Sequence, residues 1–203
     1  MKVRDSGMPE EEMWERFFDP ATILTSFGLH HGVYDLAEFG CGYGTFTLAA
    51  ARCVQGVVHA FDIEPDLVSM VQEKCRYAGC NNVRAMVRDF IGQGTGLPDN
   101  SMDAALLFNI LHHEEPVALM TEAGRILKPG GILAVIHWNY DPTTPRGPSL
   151  EIRPRPEQCI KWGRQSGFAF DERHRYDFPP YHYGLKFTKQ NETETIPWQT
   201  VQQ

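Results

Sequence analysis

Hydrophobic and polar positions along this chain fall into short blocks whose period switches between two residues and three to four, the mark of strands alternating with helices. Strands are predicted at 33–39, 57–62, 83–87, 104–108, 132–137, 168–178 and 181–189. Between them, helices are predicted at 45–53, 66–78, 115–127 and 157–166. The 104–108 block, Ala-Ala-Leu-Leu-Phe, is apolar throughout, as a strand buried on both faces should be. Strands joined by crossover helices predict an α/β fold built on a parallel sheet.

The flanks read differently. Two short amphipathic helices are predicted at 10–18 and 21–27, separated by Asp19-Pro20. The first carries Trp14 and Phe17, which either close over a ligand as a lid or cover the sheet edge. Residues 140–156 hold five prolines and three arginines with no period, predicting a long ordered loop over the sheet edge. Arg146, Arg153 and Arg155 in it either face an anionic or planar ligand or are spent on the protein's own carboxylates and solvent. The resulting division is an N-terminal helical cap (1–30), a ligand-binding domain (31–190) and a polar tail (191–203).

A net charge of −7 works against phosphate-rich partners, so nucleic acid is not expected. No apolar run approaches the roughly 20 residues of a membrane span, and the N-terminus is polar, so a cytoplasmic protein is expected. The five cysteines are odd in number and form no Cys-x-x-Cys pair, which favours reduced thiols over a disulfide framework and predicts no metal site.

The chemistry centres on Glu38-Phe39-Gly40-Cys41-Gly42-Tyr43-Gly44, a glycine turn between a strand and a helix. Glycine allows a sharp turn and close approach of backbone N–H groups to a ligand carboxylate or phosphate. Asp62 ends the next strand, eighteen positions past Gly44, where a carboxylate can accept from two ribose hydroxyls or simply cap the following helix. Asp89 and Phe90 follow the third strand and suit an adenine ring. Asn109 ends the fourth strand and faces the same crevice.

With Leu97-Pro98-Asp99-Asn100-Ser101-Met102-Asp103 and Arg125-Ile126-Leu127-Lys128-Pro129-Gly130-Gly131, this ordered set resembles the class I methyltransferases that use S-adenosyl-L-methionine (SAM), closest to their ubiquinone/menaquinone-biosynthesis-like, or type 11, branch. The resemblance covers 33–138. It implies a Rossmann-like three-layer sandwich with a seven-stranded, mostly parallel sheet and an antiparallel C-terminal strand, the last two strands matching the family's antiparallel pair. It implies SAM as cofactor, with Gly40, Cys41, Gly42 and Gly44 around the methionine moiety and Glu38 supporting its amino end. Asp62 then holds the ribose, Ile63, Asp89 and Phe90 meet the adenine, and Asn109 lies near the methyl group. Glu38-Phe39 departs from the commoner Asp-Leu, and the longer carboxylate shifts the amino contact.

The implied activity is methyl transfer to a small-molecule acceptor by a monomer or homodimer. Positioning supplies much of such catalysis, and a base is needed only where the nucleophile must lose a proton. His113, His137, Tyr181 and His182, with His112, are the candidate bases; His112 and His113 read equally well as helix-cap or core residues. Two rivals remain: a non-catalytic SAM-binding protein, and a nicotinamide-dependent oxidoreductase. The second is disfavoured by Thr45, where a dinucleotide site prefers glycine or alanine, and by the lack of a second mononucleotide half.

Overall fold

A computed structural model describes residues 7–191, so nearly all of the predicted polar tail lies outside the described residues. In chain order the elements are α1 (Glu11–Glu15), α2 (Pro20–Ser26), β1 (Leu36–Phe39), α3 (Thr45–Cys53), β2 (Val58–Asp62), α4 (Pro65–Ala78) and β3 (Val83–Val87). There follow β4 (Met102–Phe108), α5 (Pro116–Ile126), β5 (Leu127–Trp138), α6 (Pro156–Gln165), β6 (Phe168–Phe178) and β7 (His182–Lys189).

The strands form one sheet in the order β3-β2-β1-β4-β5-β7-β6. Pairs from β3 through β5 are parallel, β7 runs antiparallel to β5, and β6 runs antiparallel to β7. Of the last two strands, therefore, only β7 opposes the rest; β6 has turned back into the common direction. Strand order reverses between β1 and β4, which opens a crevice at their carboxyl ends, where open α/β sheets bind ligands.

Period-two alternation feeds two cores. Ala104, Leu106 and Phe108 of β4 face α2 and α3, while Ala105 and Leu107 face α5 and α6. Leu24 and Phe27, at the N-terminal end of the chain, are fully buried in the first of these layers.

Several boundaries differ from expectation for identifiable reasons. β1 begins at Leu36 rather than 33, because side chains replace the ladder there: Val57 N donates to Asp35 Oδ1 and Asp35 N to Asp103 Oδ2, each at 2.8 Å. β5 begins at Leu127, directly after α5, rather than at 132. Leu127 pairs with Met102 and Ile132 with Ala104, so Lys128-Pro129-Gly130-Gly131 bulges from a continuous strand instead of ending it. Pro129 offers no N–H to the ladder and Gly130 takes a left-handed φ of 77°. α1 covers only five residues of the predicted 10–18, since the chain turns at Arg16. Asp19 then caps α2, accepting from Thr22 N at 3.2 Å, with Pro20 at the first helical position.

The 140–156 loop lies over the carboxyl end of β5 and not over a sheet edge. A Cβ placed on Gly147 would stand 2.7 Å from the Trp138 ring, and Gly147 N donates to Gly7 O at 3.1 Å.

Candidate functional site

A cavity of about 600 Å3 opens at the carboxyl ends of β1, β2 and β4. Glu38, Gly40, Cys41, Gly42, Asp62, Ile63, Asp89, Phe90 and Asn109 all line it, so the structure gathers nine of the ten expected cofactor residues around one space. Gly44 is the exception. It stands outside the lining as the left-handed N-cap of α3, at φ 82°.

The turn is folded by its own backbone. Gly40 N and Cys41 N both donate to Phe61 O, at 2.8 and 2.9 Å, which pulls the loop across the end of β2. Gly40 and Gly42 have φ of 77° and 52°, a region in which a side chain is strained. Asp62, only 8% exposed, is oriented by two backbone amides: Gly42 N donates to Oδ2 at 2.9 Å and Glu64 N to Oδ1 at 3.1 Å. One carboxylate thus ties the glycine turn to the start of α4 and keeps further acceptor capacity for ligand hydroxyls.

Glu38, on β1, is 3% exposed and accepts from Thr47 Oγ1 at 2.5 Å. Burial pushes its carboxyl up to about 8, against the Thr47 bond, and the Asp62 charge adds to the rise. Asp89 is exposed and accepts from Gly92 N at 2.9 Å, which fixes the 89–92 turn. Phe90 is buried edge-on against Phe39, their centroids 5.3 Å apart.

Thr45 Oγ1 and both Oδ1 and Nδ2 of Asn109, all on lining residues, are buried and meet no hydrogen-bond partner among the described residues. Asn109 also holds a left-handed φ of 53°. Buried polar atoms without partners are costly, so a polar ligand is the natural complement. Thr45 escaped sequence reasoning as a binding residue. Its signal was its place directly after Gly44, at the first position of α3, where backbone N–H groups are also unspent.

Of the candidate bases, His112 and His113 line the cavity; His137, Tyr181 and His182 do not. Glu115 N donates to His113 Nδ1 at 3.0 Å, which leaves the proton of the neutral ring on Nε2 and makes that nitrogen a donor. Alternation along β5 turns His137 away from Trp138 toward Tyr183, ring centroids 6.4 Å apart, where it is fully buried. His182 pairs with Trp138 across the β5/β7 ladder and sits behind the indole, at 4.3 Å, beside Phe18 at 4.5 Å. Tyr181 stacks on the same indole at 6.3 Å. These three residues therefore back the wall of the cavity.

Burial holds His182 down to about 3, with Arg153 contributing, and holds His137 well below its ordinary value, with His112, His182 and Arg153 contributing. Both are neutral in the fold. Below about pH 6.5 the unfolded chain takes up a proton that native His182 refuses, so its share of stability is lost as pH falls from 6.5 toward 3, at up to about 1.4 kcal/mol per pH unit. Glu38 acts in the opposite sense, its contribution falling as pH rises from 4.5 toward 8. His182→Phe should flatten the acid-side loss, read as a smaller difference between urea midpoints near pH 7 and near pH 5 than in the wild type; equal differences contradict the assignment.

The N-terminal segment completes the wall through Met8 and Trp14. Tyr43 Oη donates to Pro9 O at 3.1 Å, and Lys74 Nζ donates to Tyr43 O at 2.8 Å and pairs with Glu11. Phe17 lies outside the lining, against Trp138 and Tyr181. In the 140–156 loop, Arg153 is buried and bonds the carbonyls of Asn139, Asp141, Arg146 and Pro148 and the Thr144 hydroxyl. Neither of the alternatives open for it in the sequence applies, because its partners are backbone carbonyls and one hydroxyl of its own loop.

Among the described residues no helix is long and apolar enough to cross a membrane. All five cysteines are free.

Comparison with known proteins places this geometry. A family model described as a methyltransferase domain matches residues 36–131. Aklanonic acid methyltransferase DauC of Streptomyces sp. (strain C5) is 29% identical over 100 residues, 48% of this chain and 44% of DauC. An uncharacterized 37.1 kDa protein in transposon TN4556 of Streptomyces fradiae is 32% identical over 120 residues, 57% of this chain and 33% of that protein. The chain thus spans less than half the length of these curated relatives. A SAM-dependent methyltransferase from Aquifex aeolicus superposes with a TM-score of 0.77 at 25% identity, covering 88% of this chain and 93% of that one. The [4+2]-cyclase SpnF shares the fold at a TM-score of 0.72 and 20% identity, over 93% and 85% of the two chains.

Proposed function

We propose that the chain is a class I SAM-dependent methyltransferase, that it binds SAM in the cavity above the glycine turn and that it transfers the methyl group to a small-molecule acceptor. The observation that carries this reading is the convergence of the turn, Asp62 and the unpartnered polar atoms of Thr45 and Asn109 on one cavity.

The residues divide the work by chemistry. The N–H groups at the start of α3, with Thr45 Oγ1, receive the carboxylate end, and Glu38 receives the amino end. Asp62 accepts from the ribose hydroxyls; Ile63, Asp89 and Phe90 border the adenine. Asn109 orients the methionine end near the reacting carbon. When bound, SAM supplies an electrophilic methyl group on a sulfonium sulfur. The protein's part is alignment and exclusion of water, worth roughly 7 to 11 kcal/mol in well-oriented systems. Residues 8–15 serve as the cap, held by Lys74 and Tyr43, and His113 serves as a hydrogen-bond donor rather than a base.

Glu38 gives this assignment a pH signature. With its carboxyl near 8, it is protonated at neutral pH and must ionise to pair with an ammonium group. Affinity for S-adenosylhomocysteine should therefore rise from pH 6 to about pH 8, with close to one proton released per molecule bound near neutrality. Calorimetry in two buffers of different ionisation heat reads the proton directly. Glu38→Gln should abolish the release; wild-type binding with no proton exchange contradicts the role.

The activity is tested with methyl-labelled SAM and panels of thiols, phenols, quinols and amines. Transfer to any of them supports the reading. A protein called a cyclase shares this fold, and fold does not dictate reaction. Stoichiometric SAM binding with no transfer across all panels would favour a non-catalytic SAM-binding protein.

A further inference from the structure

A second cavity, of about 380 Å3, adjoins the first and shares His113 and Glu114 with it. Leu111 and Tyr140, just past the carboxyl ends of β4 and β5, line it, so it offers a route by which an acceptor can reach the first cavity. Its walls combine an apolar part, Leu111, Ile152, Tyr140 and Trp162, with the guanidinium of Arg155.

Arg155 contrasts with its neighbour Arg153. The Arg153 guanidinium is consumed by the loop's own oxygens. The Arg155 guanidinium lies 3.7 Å from the centre of the Tyr140 ring, and among the described residues it forms no hydrogen bond or ion pair. Its backbone is nevertheless fixed at the start of α6: Arg155 N donates to Gln158 Oε1 at 2.8 Å, and Arg155 O accepts from Gln158 N and Cys159 N at 3.0 and 3.2 Å. A cation anchored at its backbone, resting on an aromatic face and with its N–H donors unspent, is prepared for a planar anion, which it can bind through two parallel bonds.

The charge around it selects the anion. Glu114 and Glu151 also line this cavity, and the chain carries a net charge of −7. A dianionic phosphate meets more repulsion there than a monocarboxylate does, and of the two lining cations Arg153 is already consumed by the loop, which leaves Arg155 to hold the charge beside the apolar side chains.

We infer that the second cavity is an acceptor subsite, and that the acceptor is a planar, largely apolar molecule bearing a carboxylate that Arg155 holds while another atom of the molecule faces the cofactor. This rests on the methyltransferase reading for the word acceptor, but not for the binding itself.

The test uses the full chain, with and without S-adenosylhomocysteine, and three probes of one shape: 2-naphthoate, 2-naphthalenemethanol and 2-naphthyl phosphate. The expected order is naphthoate tightest, with Arg155→Met weakening it about tenfold, as loss of a charge-assisted pair predicts, and leaving the alcohol and S-adenosylhomocysteine unchanged. Arg155→Lys should recover only part of the loss, because it keeps the charge without the fork. Naphthoate binding no tighter than the alcohol, equal weakening of both in Arg155→Met, or preference for the phosphate would each overturn the carboxylate assignment. Failure of S-adenosylhomocysteine to bind, with naphthoate still dependent on Arg155, would instead remove the methyltransferase reading and leave the anion subsite standing.

Discussion

Asp62→Ala is expected to weaken S-adenosylhomocysteine about a hundredfold while leaving a folded protein. In the proposed role the carboxylate accepts from two ribose hydroxyls, and each charge-assisted bond is worth about 1.5 kcal/mol or more, so losing both costs about 3 kcal/mol of binding. The same change releases Gly42 N and Glu64 N, but both bonds are only part-buried, so water can replace the carboxylate. Stability should therefore fall by roughly 1 kcal/mol, far less than binding. Asp62→Asn keeps one acceptor oxygen and should fall between the wild type and alanine. Calorimetric titration of the three proteins, with urea melts alongside, separates the effects; an alanine variant that binds as the wild type does removes Asp62 from the site.

The largest effect on stability is expected at Trp138. Its indole is 1% exposed and lies against His182 at 4.3 Å, Phe17 at 5.6 Å, and Tyr181 and Trp14 at 6.3 Å, with Arg153 5.8 Å away and Gly147 pressed against the ring. Four parts of the chain meet on this one side chain: α1, the 140–156 loop, β5 and the start of β7. Truncation to alanine leaves a void that none of them can fill without separating from the others. A cost of about 3 to 5 kcal/mol follows, which for a chain of this size lowers Tm by roughly 10 °C. Trp138→Phe keeps an aromatic ring in place and should lose less than half as much. Thermal and urea melts check both, and an alanine variant as stable as the wild type contradicts the packing described.

The sheet was legible because its signals were local: an apolar run at 104–108, alternation at 168–178, and a glycine turn between a strand and a helix. Most of the residues that line the first cavity were legible too, since sheet topology carries the ends of β1, β2 and β4 to one crevice whatever the details of packing. The two stretches that resemble the family over the longest runs proved structural. Arg125 bonds Leu97 O at 2.9 Å and pairs with Asp99 and Glu122, and Lys128 pairs with Asp103 at 2.7 Å, so 97–103 and 125–131 are tied to each other away from the cavity.

What escaped depends on facing and on distant partners. His137 and His182 lie at strand ends near the crevice and so read as bases. Which face each presents is set by the β5/β7 register, and a shift of one residue would exchange His137 and Trp138. Arg153 could not be assigned because all but one of its partner residues offer carbonyl oxygens, which carry no residue signature. The direction of β6 relative to the parallel strands likewise follows from its pairing with β7 and from no local pattern.

The central claim is that the cavity above the glycine turn is a site for a sulfur nucleoside, and calorimetric titration of the full chain with S-adenosylhomocysteine, SAM and NADH tests it most directly. Saturable one-to-one binding of the two sulfur nucleosides, with NADH failing to compete, is the predicted result. Binding of NADH alone, or of none of the three, would contradict it.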